Sequence, residues 1–204
     1  MVCAGDVLSK GIFPSVRWPT QHIAPIVPVV FAAGNHEFYH SSIHECLRQV
    51  REASAHPNLH FLENDVVKIG DVAFVGGTLW SDFRLFGRDP QVAMSYARSG
   101  MNDYKRIKLS KTPFLKFKPI DAFRKHIETR DFIACELRKR RGQKSVVVTH
   151  HAPSHVRLPA GFVTIRLRLA TPRIWKTSFV RQGPPCGCTA TFIIETITSL
   201  AQQG

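Results

Sequence analysis

The 204-residue sequence has no apolar run approaching the roughly 20 residues that a membrane-spanning helix needs, so no membrane partner is expected. Its five cysteines, Cys3, Cys46, Cys135, Cys186 and Cys188, lack the spacing of a disulfide scaffold, and an odd count of this kind fits a reducing compartment. No secretory pattern follows Met1, which makes the expected location cytoplasmic. The sharpest deficiency is local. Beyond Val156 there is no histidine and only Glu195 is acidic, while Arg157, Arg166, Arg168, Arg173, Lys176 and Arg181 are basic. Linkers are rich in Ser, Gly and acids, whereas this stretch is apolar and basic. It reads as a different kind of sequence from what precedes it.

Hydrophobic residues make up 44% of the chain and charged residues 21%, enough for a buried core and too apolar for wholesale disorder. The formal charge of +13 would suit a nucleic-acid partner, through a basic loop at 105–118 and the run Arg138, Lys139, Arg140, Arg141. Basic side chains in a last helical turn also meet the helix dipole favourably. A basic nucleic-acid-binding protein without catalysis is therefore the alternative reading, and nucleic acid is not the favoured partner.

Before Val156 the pattern alternates strands and helices. Val2, Cys3 and Ala4 form a strand stub ending at Gly5-Asp6, and Val29, Val30, Phe31 and Ala32 form a buried strand ending in Gly34-Asn35-His36-Glu37. Residues 41–55 carry Ile43, Leu47 and Val50 at helical spacing. Residues 66–69 and 72–75 flank Gly70-Asp71, a hairpin signal. Residues 121–141 predict an amphipathic helix capped by Gly142, followed by a strand at Val146, Val147 and Val148 that leads into Thr149-His150-His151. The stretch from 87 to 119 suggests one helix and the basic loop.

Three apolar strands thus deliver polar, ligand-type residues at their C-terminal ends, where open α/β sheets form their ligand crevices. A carboxylate oxygen, an amide oxygen and imidazole nitrogens make a donor set suited to manganese, iron or zinc. Gly-Asp alone is usually a turn, and His-His alone is more often structural. Gly-Asn-His-Glu after a buried strand is far rarer, and the three in this order make a strong signal. Cys186-Gly187-Cys188 lacks a second Cys/His pair and is a weak metal motif.

Val2 to Asp6, Gly34 to Glu37 and the VVVTHHAPS segment beginning at Val146 resemble the calcineurin-like metallophosphoesterases. Gly77-Thr78-Leu79-Trp80-Ser81-Asp82-Phe83 and Asn102-Asp103-Tyr104 resemble a bacterial subgroup of that family. The resemblance covers about residues 1–160 and implies a metallophosphoesterase domain with a four-layer αββα sandwich. It also implies a dinuclear centre that hydrolyses phosphoester substrates. On that pattern Asp6 bridges two metals, Asn35 and His150 are further metal ligands, and His36 is the catalytic acid at the leaving oxygen.

The family pattern also has an Asp-x-His strand ahead of Gly-Asp and a closing Gly-His-x-His, and neither is present. The sandwich is therefore expected to be incomplete, the chain truncated at its N-terminus, and fewer than two metals bound. Residues 161–204 are expected to be an aberrant tail. With GC-ending codons assigned to Cys188 through Glu195, reading from the last base of each codon yields His-Gly-His-Leu-His-His-Arg. The same shift over Arg173 through Phe179, with one choice of codons, yields Asp-Leu-Glu-Asp-Phe-Ile. A frameshift near 160–163 would account for the missing acids and histidines and for much of the positive charge.

Overall fold

The computed structural model describes residues 1–8, 11–53, 56–84 and 89–151, together with the backbone of three later strands. Elements follow in the order β1 (Val2–Cys3), α1 (Ile12–His22), β2 (Val29–Ala32), a 3-10 turn (His36–Phe38), α2 (Ile43–Ala53) and β3 (Leu59–Leu62). Then come β4 (Asp65–Ile69), β5 (Val72–Gly77), α3 (Pro90–Gly100), α4 (Asp103–Arg106), β6 (Lys108–Ser110), β7 (Leu115–Lys116), α5 (Pro119–Lys139) and β8 (Lys144–Thr149). The last three are β9 (Thr164–Leu167), β10 (Lys176–Arg181) and β11 (Ala190–Thr196).

The strands make two principal sheets, a parallel β1-β2-β3 sheet and a mixed sheet ordered β4-β5-β8-β11-β10-β9. Side-chain alternation explains how they stack, since successive residues of a strand face opposite sides. On β2, Val30 and Ala32 join Ala4, Leu62 and Val148 in a core between the sheets, backed by Val67, Phe74 and Val146. Val29 and Phe31 face the other way, into a cluster with Ile12 and Val16 of α1 and Ile43, Cys46 and Val50 of α2. On the far side Val75 and Val147 pack against Ile133 of α5, with Val66, Phe132 and Leu137 at the margin. The layers run helix, sheet, sheet, helix. This is an α/β sandwich with a short first sheet, as the sequence implied.

Local chemistry accounts for most element boundaries. Pro90 and Pro119 stand at the start of α3 and α5, where a missing N–H costs nothing. Asp89 caps α3 by accepting from the Gln91 N–H at 2.8 Å, and the Asp121 carboxylate accepts from the Lys118 N–H at 2.9 Å. The β4/β5 hairpin pairs Ile69 with Val72 around Gly70-Asp71, as expected. Elements with no forecast in the sequence include α1, β3 and β10. Within 87–119 the expected helix is α3; a second, short helix, α4, overlaps the start of the expected basic loop, which contains the β6/β7 pair.

The expected helix at 41–55 is α2 and that at 121–141 is α5. Beyond residue 151 the backbone of β11 lies parallel to β8, with Thr191 opposite Val146 and Ile194 opposite Thr149. β10 and β9 follow it antiparallel. Cys186-Gly187-Cys188 lies outside the described residues. Among the described residues no helix is long and apolar enough to cross a membrane.

Candidate functional site

Parallel pairing in each sheet brings the C-terminal ends of β1, β2 and β8 to one edge of the sandwich. The loops leaving them converge. Gly5 (φ 89°) and Asp6 (φ 53°) turn the chain sharply after β1. A side chain at Gly5 would meet the Gly34 nitrogen at 2.3 Å, and one at Gly34 would meet Asp6 Oδ1 at 2.2 Å and His150 Cε1 at 2.8 Å. Glycine at both positions is what permits the two loops to touch.

Glu37 holds this crossing together from beneath. Its buried carboxylate accepts from the N–H groups of Asp6 (2.7 Å), Val7 (3.0 Å) and Gly34 (2.7 Å). Asp6 would otherwise relax from its left-handed conformation, which is uncommon outside glycine. Burial, together with the nearby Asp6 charge, pushes the Glu37 carboxyl up to about 7 against the pull of those donors.

The expected ligands meet above that base. His150 Nε2 lies 3.7 Å from Asp6 Oδ2 and 3.1 Å from Asn35 Oδ1. Its Nδ1 is 2.7 Å from the carbonyl oxygen of Ala4. A carbonyl only accepts, so Nδ1 carries the proton and donates it, leaving a lone pair on Nε2 of the neutral ring. Burial pushes the His150 pKa down to about 4, so the ring is neutral at physiological pH. Burial likewise raises the Asp6 pKa, with His36 opposing it.

Donor atoms of Asp6, Asn35 and His150 therefore face one another, with the His150 proton held on Nδ1, away from the other two. Such a set is repulsive by itself and fits a divalent cation, for which carboxylate, amide oxygen and neutral imidazole are suitable ligands. Among the described residues no group of three or more His, Cys, Asp or Glu side chains forms a metal cluster. Asn35 is the third member of this set.

His36 sits at the rim, half-buried, with Nδ1 4.0 Å from Asp6 Oδ2. Its backbone N–H donates to Asp6 Oδ1 at 3.1 Å, and its ring packs on Tyr39 with centroids 4.6 Å apart. His151 points elsewhere: its Nδ1 donates to the Thr78 carbonyl at 3.0 Å and its ring stacks on Trp80. Burial and the adjacent His150 push it down to about 4. His126 is buried and bonds through Nδ1 to the Leu79 carbonyl at 3.0 Å.

One further residue touches this constellation without any signal of its role in the sequence. Asp103 is buried and accepts from Asn35 Nδ2 at 2.8 Å and from the Tyr39 hydroxyl at 2.7 Å. The only trace of it in the sequence is the Asn102-Asp103-Tyr104 motif, 68 residues from Asn35.

The chain is 28% identical over 147 residues to uncharacterized protein L509 of Acanthamoeba polyphaga mimivirus, an alignment covering 68% of this chain and 50% of that protein. The chain thus spans about half the length of the curated relative it matches. No solved structure matches it significantly. The family model for calcineurin-like phosphoesterases matches residues 1–173, most of the sequence and every strand end that builds the site, and by that match the chain belongs to the calcineurin-like phosphoesterase family.

Proposed function

We propose that the edge formed by Asp6, Asn35, His36 and His150 is a metal-dependent site for hydrolysis of phosphoester bonds. The observation that carries the reading is the convergence of a carboxylate, an amide oxygen and an imidazole nitrogen at the ends of three strands. Asp6, Asn35 and His150 hold the cation, of which manganese, iron and zinc are the candidates by donor type. A bound divalent cation supplies charge neutralisation at the phosphoryl oxygens and an acidified water. The protein supplies the rest. Glu37 fixes the Asp6 turn, Ala4 fixes the His150 tautomer, and burial keeps that ring neutral and able to ligate. His36, at the rim with Nδ1 4.0 Å from Asp6 Oδ2, is the group placed to serve as acid for the departing oxygen.

Three side chains make one cation's share of ligands, so turnover of a generic aryl phosphate should be slow. With para-nitrophenyl phosphate and added Mn²⁺, we expect weak hydrolysis that EDTA abolishes and Asn35→Ala removes. His36→Ala should lower kcat by about 10²–10⁴-fold while leaving Mn²⁺ binding intact. Turnover insensitive to both EDTA and Asn35→Ala would refute the site.

The nucleic-acid reading is weaker, because several of its basic residues have partners within the fold. Arg140 and Lys139 both pair with Glu136, and Lys111 pairs with Glu45. Arg106 lies over the Tyr39 ring and Lys108 over Phe114.

A further inference from the structure

We infer that Asp103 is a positioning residue for the cation site, its buried carboxylate setting which way the Asn35 amide faces and, through Tyr39, seating the His36 ring. The inference rests on the metal-site reading above and concerns a group that touches neither cation nor substrate.

The argument begins with the amide. The two orientations of an asparagine side chain are nearly the same shape and differ in which hydrogen bonds they make. In the absence of Asp103, the favourable orientation beside a neutral His150 would be the reversed one. Asn35 Nδ2–H would then donate to the His150 Nε2 lone pair, closing the site with an internal hydrogen bond and consuming two ligands at once. The observed orientation is the opposite: Asn35 Oδ1 faces His150 Nε2 at 3.1 Å.

Asp103 supplies the reason. A carboxylate only accepts, so it draws the amide NH2 toward itself at 2.8 Å and turns the oxygen into the site. The bond is charge-assisted and shielded from water, since Asp103 is 4% exposed. Outer-shell partners of this kind orient ligands in many metal sites.

The same oxygen, Asp103 Oδ1, also accepts from the Tyr39 hydroxyl at 2.7 Å. The Tyr39 ring packs against His36, and the Arg106 guanidinium lies 5.5 Å from the centroid of that ring. One carboxylate on α4 thereby governs a candidate ligand and the support of the candidate acid. Both lie on the loop after β2, and the tie between that loop and α4 crosses most of the first half of the chain.

The test uses the full chain as wild type, Asp103→Ala, Asp103→Asn and Tyr39→Phe, with two readouts. The first is Mn²⁺ affinity by calorimetry, alongside the melting temperature without metal. Asp103→Ala should weaken Mn²⁺ binding by about 10–100-fold. Asp103→Asn retains an oxygen in the accepting position and should recover part of that loss. Tyr39→Phe should cost less than either, since it leaves the Asn35 bond in place. The second readout is solvent exchange of the Asn35 side-chain amide protons in ¹⁵N-labelled, metal-free protein. That NH2 should be strongly protected in wild type and Tyr39→Phe, and less protected in Asp103→Ala, where a bond to the neutral His150 ring replaces the charge-assisted bond to Asp103.

Should Asp103→Ala not fold, Asp103→Asn and Tyr39→Phe carry the comparison. Variants that lower the melting temperature but bind Mn²⁺ as wild type does would reduce Asp103 to a structural role and overturn the inference. So would an Asn35 amide that exchanges freely in wild type, whatever the metal result. A wild-type chain with a protected Asn35 amide and no Mn²⁺ binding would instead overturn the metal-site reading.

Discussion

Gly34 carries much of the site's geometry despite having no side chain. The space a methyl group would need there is occupied by the Asp6 carboxylate and the His150 ring. Neither neighbour can retreat easily. Asp6 is pinned by Glu37 and by the His36 N–H, and His150 by its bond to Ala4. Gly34→Ala should therefore overpack the crossing, costing about 1–3 kcal/mol of stability, and should separate Asp6 from His150. Urea denaturation with Mn²⁺ titration tests this, and a variant with wild-type Mn²⁺ affinity would show that the crossing is looser than its distances imply. Asp6, Asn35, His36 and His150 stand out in the sequence because each follows an apolar strand. The inward roles of Gly34 and Glu37 do not show there, since the same letters would serve in an ordinary turn.

At the level of elements, the legible ones were those whose local pattern and tertiary environment agree. α5 combines Pro119 at its start, a capping carboxylate at Asp121 and a stripe containing Ile133 and Leu137. α1 gave no such signal. Pro19 lies inside it and cannot donate the helical bond owed to Ser15. The hydroxyl of Ser15 instead donates toward Gly11 and Leu8, while Ile12 and Val16 bury against the β2 layer. Packing rather than propensity forms that helix. β3 is four residues long and pairs with β2 from Leu59 to Leu62, a partnership that only the fold creates. The layer formed by α5 can be weakened without touching the site. Ile133→Ala removes a side chain packed between Val75 and Val147 and should cost about 2 kcal/mol, the lower end for such truncations, because that cluster is small. Mn²⁺ affinity of the folded variant should be unchanged. A matching fall in affinity would mean that the outer helix and the site are coupled.

The whole molecule divides in chemical character near residue 156, and we propose that residues 161–204 are an out-of-frame tail attached to a phosphoesterase domain. The loss of acids and histidines there supports it, as does the Gly-His-x-His recovered by a one-base shift. An out-of-frame segment was never selected for agreement between local propensity and global fold. Its later part, around β11, is β-rich and nearly uncharged, a composition that favours aggregation. Limited proteolysis should cut beyond Pro159 before attacking β8, and restoring the alternative frame should raise soluble yield and metal-dependent phosphoesterase activity together. A tail as resistant as β8 would establish β9, β10 and β11 as native strands of the mixed sheet. No gain in either property on restoring the frame would mean that the recovered motif is an accident of codon choice.

From the residues in order come the alternation of strands and helices, the family resemblance, and the four side chains proposed to meet a cation and its substrate. Those are consequences of short-range pattern: hydrophobic period, caps, turns and motif spacing. Tertiary structure decided how the four meet. Parallel pairing carried three strand ends to one edge, two glycines allowed their loops to touch, and a buried carboxylate from α4 turned an amide oxygen inward. The reason is physical, since hydrogen bonds and close approaches between residues tens of positions apart depend on the path of the backbone between them, and no local window of sequence contains that path.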